Sequence, residues 1–238
     1  MAVRSILISG ANQGLGMHTV HQLAATKDVL IFMGSRILSN AETAIAGFAS
    51  DIHPSSTVIP VQLDITDPTS ISNAVEFIKK YLHEKGRTGL DVLMNNAVSG
   101  SPSLPTSFAV NVFGAHDLKQ AVRPILNKGG AILNISSQGG SLTLLTHRPP
   151  IPVFPAYNTS KSGLNSMTLQ WAIEEEGKVS GVRVVSIDPG FNATALTKDT
   201  TQSGAGDPRD GCKIMVEAAL ATEGKSGVFI TKDGEVPW

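Results

Sequence analysis

Cysteine is nearly absent from this chain. Cys212 is the only one among 238 residues, so no internal disulfide can form, and so few thiols suit a reducing compartment. An excess of charge of one sign is missing too. The 19 Lys and Arg offset 20 Asp and Glu to a net charge of -1, which gives no whole-chain attraction for nucleic acid or an anionic membrane. Long apolar runs are also lacking. Ser5, Ser9 and Gly10 interrupt the opening residues before they reach the roughly 7 to 15 apolar positions of a signal-peptide core. Nothing approaches the roughly 18 to 20 that a membrane span requires. A cytoplasmic location is therefore expected. No internal repeat, charge block or linker divides the chain, no residue set is assigned to a metal, and one α/β domain over residues 1–238 is expected.

What is present is an alternation. Short β-branched, nearly continuously apolar runs at 3–8, 29–33, 58–63, 92–94, 131–135, 182–187 and 228–230 read as strands covered on both faces. Helical spacing fills 14–26, 41–50, 69–85, 107–126 and 155–178. Asp67-Pro68 marks the third helix start, with Asp67 as N-cap and Pro68 at the first helical position. This order predicts an α/β, doubly wound, Rossmann-type three-layer fold around a seven-stranded, mainly parallel sheet. Two stretches break the rhythm: the proline-rich 139–155 and the Thr-, Gly- and Asp-rich 190–210. Long irregular segments of this kind often serve as lids or binding loops.

Gly10, Gly14 and Gly16 lie at the first strand-to-helix turn, where missing side chains let backbone N–H groups and a helix N-terminus approach a pyrophosphate. Turn geometry alone would also account for three glycines; their placement between an apolar strand and an amphipathic helix favours a dinucleotide site. The second strand ends in Met33-Gly34-Ser35-Arg36, with no carboxylate to accept from a free ribose 2′-hydroxyl. Arg36 can pair bidentately with a 2′-phosphate, and Ser35 could add a hydroxyl, so NADP(H) is expected over NAD(H). The alternative for Arg36 is a solvated surface cation.

Tyr157 and Lys161 stand four apart on a predicted helix, which brings a phenol and an ammonium to one face. Taken alone, the pair is weak, since a tyrosine beside a surface lysine has the same spacing. Its context is chemical: Ile135-Ser136-Ser137 ends the preceding strand, and Ile187-Asp188-Pro189-Gly190 ends the next. Reducing a carbonyl needs hydride at carbon and a proton at oxygen. A phenol, with an ordinary pKa of about 10, needs a nearby cation to ease its deprotonation.

Residues 8–16 (ISGANQGLG), 63–67 (LDITD), 94–97 (MNNA), 157–161 (YNTSK) and 189–194 (PGFNAT) together resemble the short-chain dehydrogenase/reductase family, in its classical, carbonyl-reductase-like form. The resemblance runs from the first strand to about Ile230, with the motifs in the expected order. It implies a catalytic tetrad of Asn111, Ser137, Tyr157 and Lys161. Ser137 would polarise the substrate oxygen, and Asn111 would hold a water linking Lys161 to solvent. Ser137 is chosen because the family's serine is usually the second of such a pair; Ser136 stays as the alternative. The resemblance also implies cofactor contacts from Gly10, Asn12, Gln13, Gly14, Leu15 and Gly16; from Ser35 and Arg36; from Asp64 to the adenine, with Ile65; and from Asn96 and Ala97. Tyr157, Lys161, Pro189, Gly190, Asn192 and Thr194 complete the set.

Four departures stand out. Ser9 replaces the usual Thr and keeps its hydroxyl; Val98 replaces the usual Gly and could narrow the space near the nicotinamide ribose. The interval from Asn96 to Asn111 is short, so a helix after the fourth strand is expected to be trimmed or missing. The interval from Ser137 to Tyr157 is long. Its residues Leu144, Leu145, His147, Pro149, Pro150, Val153 and Phe154, with the 190–210 loop and Val236-Pro237-Trp238, are expected to form an apolar substrate pocket.

The expected activity is hydride transfer between NADP(H) and a small, apolar carbonyl or secondary-alcohol substrate, in the direction of reduction. Alternatives on the same fold are an isomerase, lyase or cyclase without net redox, or a non-enzymatic NADP(H)-sensing protein. Homo-oligomerisation through helices 107–126 and 155–178 is left open.

Overall fold

The computed structural model describes residues 3–147, 154–197 and 204–238. Its strands are β1 (Arg4–Ile8), β2 (Val29–Ser35), β3 (Thr57–Gln62), β4 (Leu90–Asn95), β5 (Leu126–Ile135), β6 (Arg183–Ile187), β7 (Val228–Thr231) and β8 (Gly234–Glu235). They form one sheet in the order β3-β2-β1-β4-β5-β6-β7-β8, parallel throughout except for the β7–β8 pair. The strand count of seven is thus corrected to eight. The extra strand is a two-residue antiparallel return that is too short to leave an apolar pattern in the sequence.

The helices are α1 (Gly14–Ala24), α2 (Leu38–Ala46), α3 (Pro68–Glu84), α4 (Leu104–Phe108), α5 (Ala115–Val122), α6 (Leu142–His147), α7 (Pro155–Gly177), α8 (Pro208–Gly211) and α9 (Lys213–Leu220). Asp67 caps α3 as expected, its side chain accepting from Thr69 N, with Pro68 at the first helical position. The single helix expected at 107–126 is composite. It begins at α4, where Ser103 accepts from Thr106 N, widens into a π-helical stretch at Ala109–Gly114, and resumes as α5. Residues 96–103 carry no helix, consistent with the short interval before Asn111. Two assignments need correction at the expected loops: α6 lies in the proline-rich insertion, and α8 and α9 close the segment after residue 203.

Alternating side chains of the central strands feed two apolar layers. Ile6, Ile8, Ile31, Met33, Val92 and Met94 pack with Val20 and Leu23 of α1 and Met215 of α9. Leu7, Phe32, Leu93, Ile132 and Val184 pack on the other face with Ile78 of α3, Leu118 of α5 and Trp171 of α7. The order reverses between β1 and β4, so the chain leaves their carboxyl ends in opposite directions and opens a crevice there.

Helix α7 reaches that crevice through a buried polar seam. Asn95 Nδ2 donates to Asn134 Oδ1 at 2.8 Å, and Asn134 Nδ2 donates to Thr168 Oγ1 at 2.8 Å. Ser136 Oγ and Ser186 Oγ both donate to Asn165 Oδ1, at 2.6 and 2.8 Å. Three strands are thereby keyed to one helix face, because buried polar groups must find partners and this register pairs most of them, leaving Asn95 Oδ1 and Asn165 Nδ2 unpaired. Toward the other end of α7, Arg123 grips the fully buried Glu175 carboxylate with two bonds of 2.7 Å, and Ser180 Oγ donates to it at 2.6 Å.

Burial alone would raise the Glu175 pKa, but the Arg123 and Ser180 hydrogen bonds and then the Arg123 and Lys178 charges overcome it and hold the carboxyl at about 2. A carboxyl depressed in the folded state stabilises above its ordinary value of about 4.3, and the contribution fades as pH falls through about 2. The stability gap between wild type and Glu175→Gln in urea melts should therefore reach up to about 3 kcal/mol near neutrality and shrink steadily below about pH 4. An equal gap at neutral and strongly acidic pH would show that the ion pair does not anchor the helix.

Candidate active site

At the crevice, Ser9 joins the ends of β1 and β4. Its hydroxyl accepts from Asn96 N and Ala97 N, each at 3.1 Å, while Asn96 Nδ2 donates to the Ser9 and Gly10 carbonyls at 2.9 Å. The hydroxyl retained in place of the usual Thr is thus fully employed. Gly10 follows with φ +61, and a Cβ there would lie 2.7 Å from Ala97 Cα. A Cβ on Gly16 would lie 2.5 Å from Asn96 Nδ2. Both positions exclude a side chain by contact, and Gly10 by conformation as well. Gln13 makes no side-chain cap on α1, which leaves first-turn N–H groups available to an anion.

At the outer end of β2, Arg36 is exposed, and Asp64 lies within range of its charge. Burial pushes the Asp64 carboxyl up, but the Thr66 hydroxyl and amide bonds and then Arg36 bring it below its ordinary value. Ser35 is buried and its Oγ donates to the Ile37 carbonyl at 2.8 Å, so its proton is committed within the turn. Ile65 is buried beneath Gly114, and Asn12 is half-buried beside the exposed Gln13. Leu15 packs partly against the core under α1.

The catalytic candidates converge at the carboxyl ends of β5 and β6. Ser137 is the serine whose side chain interacts with the Tyr157 phenol, while Ser136 Oγ is turned inward to Asn165. The geometry therefore separates the two serines that the sequence left open: only Ser137 has its hydroxyl against the phenol. Lys161 is buried on the next turn of α7, with Nζ 5.6 Å from the Tyr157 ring centroid and donating to the Ile135 carbonyl at 2.7 Å.

The expectation that Lys161 lowers the phenol's pKa requires correction in the protein alone. Burial first, and then the Asp188 charge, push Tyr157 up to about 12 against the Ser137 hydrogen bond. The Lys161 ammonium is spent on a carbonyl, and burial lowers its own pKa to about 8 despite the opposing pull of Asp188. Asp188 is the participant that sequence reasoning passed over, because it was read only as the residue before a Pro-Gly turn.

Asn111 sits buried in the π-helical stretch with its amide fully used. It accepts from Ser99 N at 2.7 Å and donates to the Ser99 carbonyl and Ser160 Oγ at 2.9 and 2.8 Å. Ser160 Oγ in turn donates to the Tyr157 carbonyl. The side chain thus ties the loop after β4 to the Tyr157 turn. Asn192 is likewise employed internally, donating to the Pro189 and Gly190 carbonyls at 3.0 and 2.8 Å. Thr194 faces Gly14 across the crevice, its Cγ2 3.6 Å from where a Gly14 Cβ would stand.

Residues 4–204 match the short chain dehydrogenase family. The chain belongs to that family. Among curated relatives, it is 30% identical over 237 residues to the short-chain dehydrogenase anuI of Penicillium roqueforti, covering 92% of this chain and 88% of that one. It is 29% identical over 207 residues to an NADP-dependent 3-hydroxy acid dehydrogenase of Schizosaccharomyces pombe, covering 82% and 73%. Among solved structures it resembles the NADPH-bound carbonyl reductase from chicken fatty liver, at 26% identity and a TM-score of 0.80, with both chains fully covered.

Within this short-chain dehydrogenase, the departures from the family pattern now have places. Val98 is 38% exposed at the mouth of the β4 loop. The long interval before Tyr157 contains α6, which is tied to the distant residues 237 and 238. Ser141 Oγ donates to the Pro237 carbonyl at 2.7 Å, and Thr143 N donates to the Trp238 carbonyl at 2.9 Å. The Trp238 ring stacks on Phe229, 5.6 Å between centroids, so its ring is pinned against the sheet edge while its backbone holds α6. His147 is exposed and bonded to its own turn at Thr143 O. Leu144 and Leu145 are half-buried and Phe154 is exposed. Pro149, Pro150, Val153 and the middle of the 190–210 loop lie outside the described residues. A cavity of about 410 Å³ is lined by Ala193, Thr194, Ala195, Thr197 and Ala205. Among the described residues no helix is long and apolar enough to cross a membrane, and no acidic, His or Cys group is arranged to hold a metal.

The close contact at Gly10 is directly testable. Gly10→Ala places a side chain at a left-handed backbone position and against Ala97, which should lower Tm by about 4 °C or more and weaken nicotinamide-dinucleotide binding in a fluorescence titration. Unchanged values for both would mean that the β1 turn can move away from β4.

Proposed function

We propose that this short-chain dehydrogenase is an NADP(H)-dependent carbonyl reductase acting on a small, apolar ketone or aldehyde. The observation that carries the reading is the convergence of the Tyr157 and Ser137 side chains, with the Lys161 ammonium 5.6 Å from the Tyr157 ring and an open glycine turn on the adjoining strand ends. The chain's donors suit a phosphorylated dinucleotide: uncapped N–H groups at the start of α1, close backbone approach at Gly10 and Gly16, and an exposed Arg36 beyond β2. The NADPH-bound carbonyl reductase and the NADP-dependent relative support the same choice.

When bound, the nicotinamide supplies the hydride to the carbonyl carbon. Ser137 donates a hydrogen bond to the carbonyl oxygen and so favours the negative charge that develops there. Tyr157 gives that oxygen its proton. A phenol at about 12 is protonated at neutral pH, which is the form that reduction consumes. The Lys161 cation then stabilises the phenolate left behind, and solvent restores its proton. Asn111 steadies the Tyr157 turn through Ser160. Gly190, Asn192 and Thr194 shape the loop opposite Gly14, with Pro189 setting its turn. The half-buried Leu144 and Leu145 of α6, in the long interval before Tyr157, suit an apolar substrate.

NADPH absorbance over a panel of ketones and aldehydes tests the activity. Tyr157→Phe should remove at least about 100-fold of the rate while leaving NADPH affinity within about threefold. Wild-type rates in that variant would end the assignment of Tyr157. Cofactor choice is read separately: Arg36→Ala should weaken NADPH by about tenfold or more and NADH little, as expected for one lost charge-assisted pair. Equal weakening of both would place the 2′-phosphate elsewhere.

A further inference from the structure

Asp188 is a carboxylate with only 6% of its surface exposed, a costly placement unless its oxygens are used. Both are used. Oδ2 accepts from Gln138 N at 3.2 Å, and Oδ1 accepts from Gly190 N at 2.8 Å. Gln138 N belongs to the peptide bond that follows Ser137, the serine against the phenol. Gly190 N belongs to the turn after β6, at φ +81, from which the loop opposite Gly14 departs. One side chain therefore fastens the substrate-polarising serine to the loop on the cofactor side. Asp188 itself is fixed by its own N–H, which donates to the Ile230 carbonyl at 2.9 Å.

The charge matters as well as the shape. From α7, Asp188 faces Lys161 and Tyr157, the two titratable groups that respond to it. It attracts the Lys161 cation and opposes a negative charge on the phenol. Burial raises the Asp188 carboxyl's own pKa, opposed by the two amide bonds and then by Lys161.

We propose that Asp188 is a positioning residue for carbonyl reduction: it ties the Ser137–Gln138 peptide to the Pro189–Gly190 turn and sets a negative charge beside the Tyr157–Lys161 pair. This rests on the carbonyl-reductase reading above. The tie holds the Ser137 hydroxyl at the distance at which one carbonyl oxygen meets both serine and phenol. The charge keeps the phenol in its proton-giving form and the lysine in its cationic form. An amide at position 188 could satisfy only one of the two N–H groups and would turn its own N–H₂ toward the other.

Two variants separate the tie from the charge. Asp188→Asn weakens both. Gln138→Pro removes only the N–H that reaches Oδ2, and the backbone accepts it: residue 138 opens a 3₁₀ turn, and Ser137 before it is extended at φ -161, ψ 148. With a carbonyl that the wild type reduces, both variants should lose about 10- to 100-fold in kcat, with KM for the carbonyl changed by less than about threefold. Phenolate absorbance isolates the charge. The chain has two tyrosines, so a Tyr81→Phe background leaves Tyr157 as the only signal. There, Asp188→Asn should move phenol ionisation in the cofactor-free protein to lower pH, and Gln138→Pro should not.

Wild-type kcat in both variants would overturn the tie, and an unmoved phenol titration in folded Asp188→Asn would overturn the charge. Should Asp188→Asn fail to fold by circular dichroism, kcat of Gln138→Pro decides the proposal alone. A wild type that reduces no carbonyl in the panel fails the functional reading instead, while the phenol titration still reports on Asp188.

Discussion

Everything at the crevice depends on the buried polar seam between α7 and the ends of β4, β5 and β6. An apolar helix face could slide along the sheet by a fraction of a turn at little cost. A face keyed by Asn95, Asn134, Thr168, Asn165, Ser136 and Ser186 cannot, because any slip leaves buried donors and acceptors unpaired, at about 1–3 kcal/mol each. Tyr157 and Lys161 lie on the same helix, toward its N-terminal end. Their position relative to Ser137 is therefore set by hydrogen bonds remote from the chemistry, and the Arg123–Glu175 pair steadies the helix toward its other end.

The cofactor side is governed by closeness instead of by pairing. A Cβ at Gly10 would strike Ala97 and one at Gly16 would strike Asn96, and Ser9 bonds both of those residues through its hydroxyl. The two strands at the point where the sheet order reverses are thus locked together at their ends. The N-terminus of α1 is left facing outward with no side chain of Gln13 to satisfy it.

Much of this was legible in the sequence, and the reasons differ by element. Seven strands and the long helices announced themselves because apolar runs covered on both faces leave a continuous signature. The spacing of Tyr157 and Lys161, and the order of the motifs around them, carried the site. The choice between Ser136 and Ser137 was not legible from residue types, because two adjacent serines differ only in which way the strand end points them. Asp188 was hidden for a similar reason: an aspartate before Pro-Gly reads as turn chemistry until its amide partners are seen. Asn111 and Asn192 carried motif positions, yet their amides serve neighbouring backbone. The α6 helix left no clear signal because prolines at 149, 150 and 152 follow it closely, and α9 is short and follows an irregular loop. Its buried Ile214, Met215, Ala218 and Ala219 keep a helical spacing that could have revealed it.

The clasp between α6 and residues 237 and 238 bears on the order of events in folding. Ser141 is held by a carbonyl 96 positions downstream, so α6 gains this tie only after residues 237 and 238 have been made. With few buried side chains of its own, that helix belongs among the parts that open most readily, while the seam beneath α7 belongs among those that open last. The molecule thereby combines a readily exchanged segment with a well-protected one. Sequence can drift in the former without loosening the placement of Tyr157 and Lys161 on the latter.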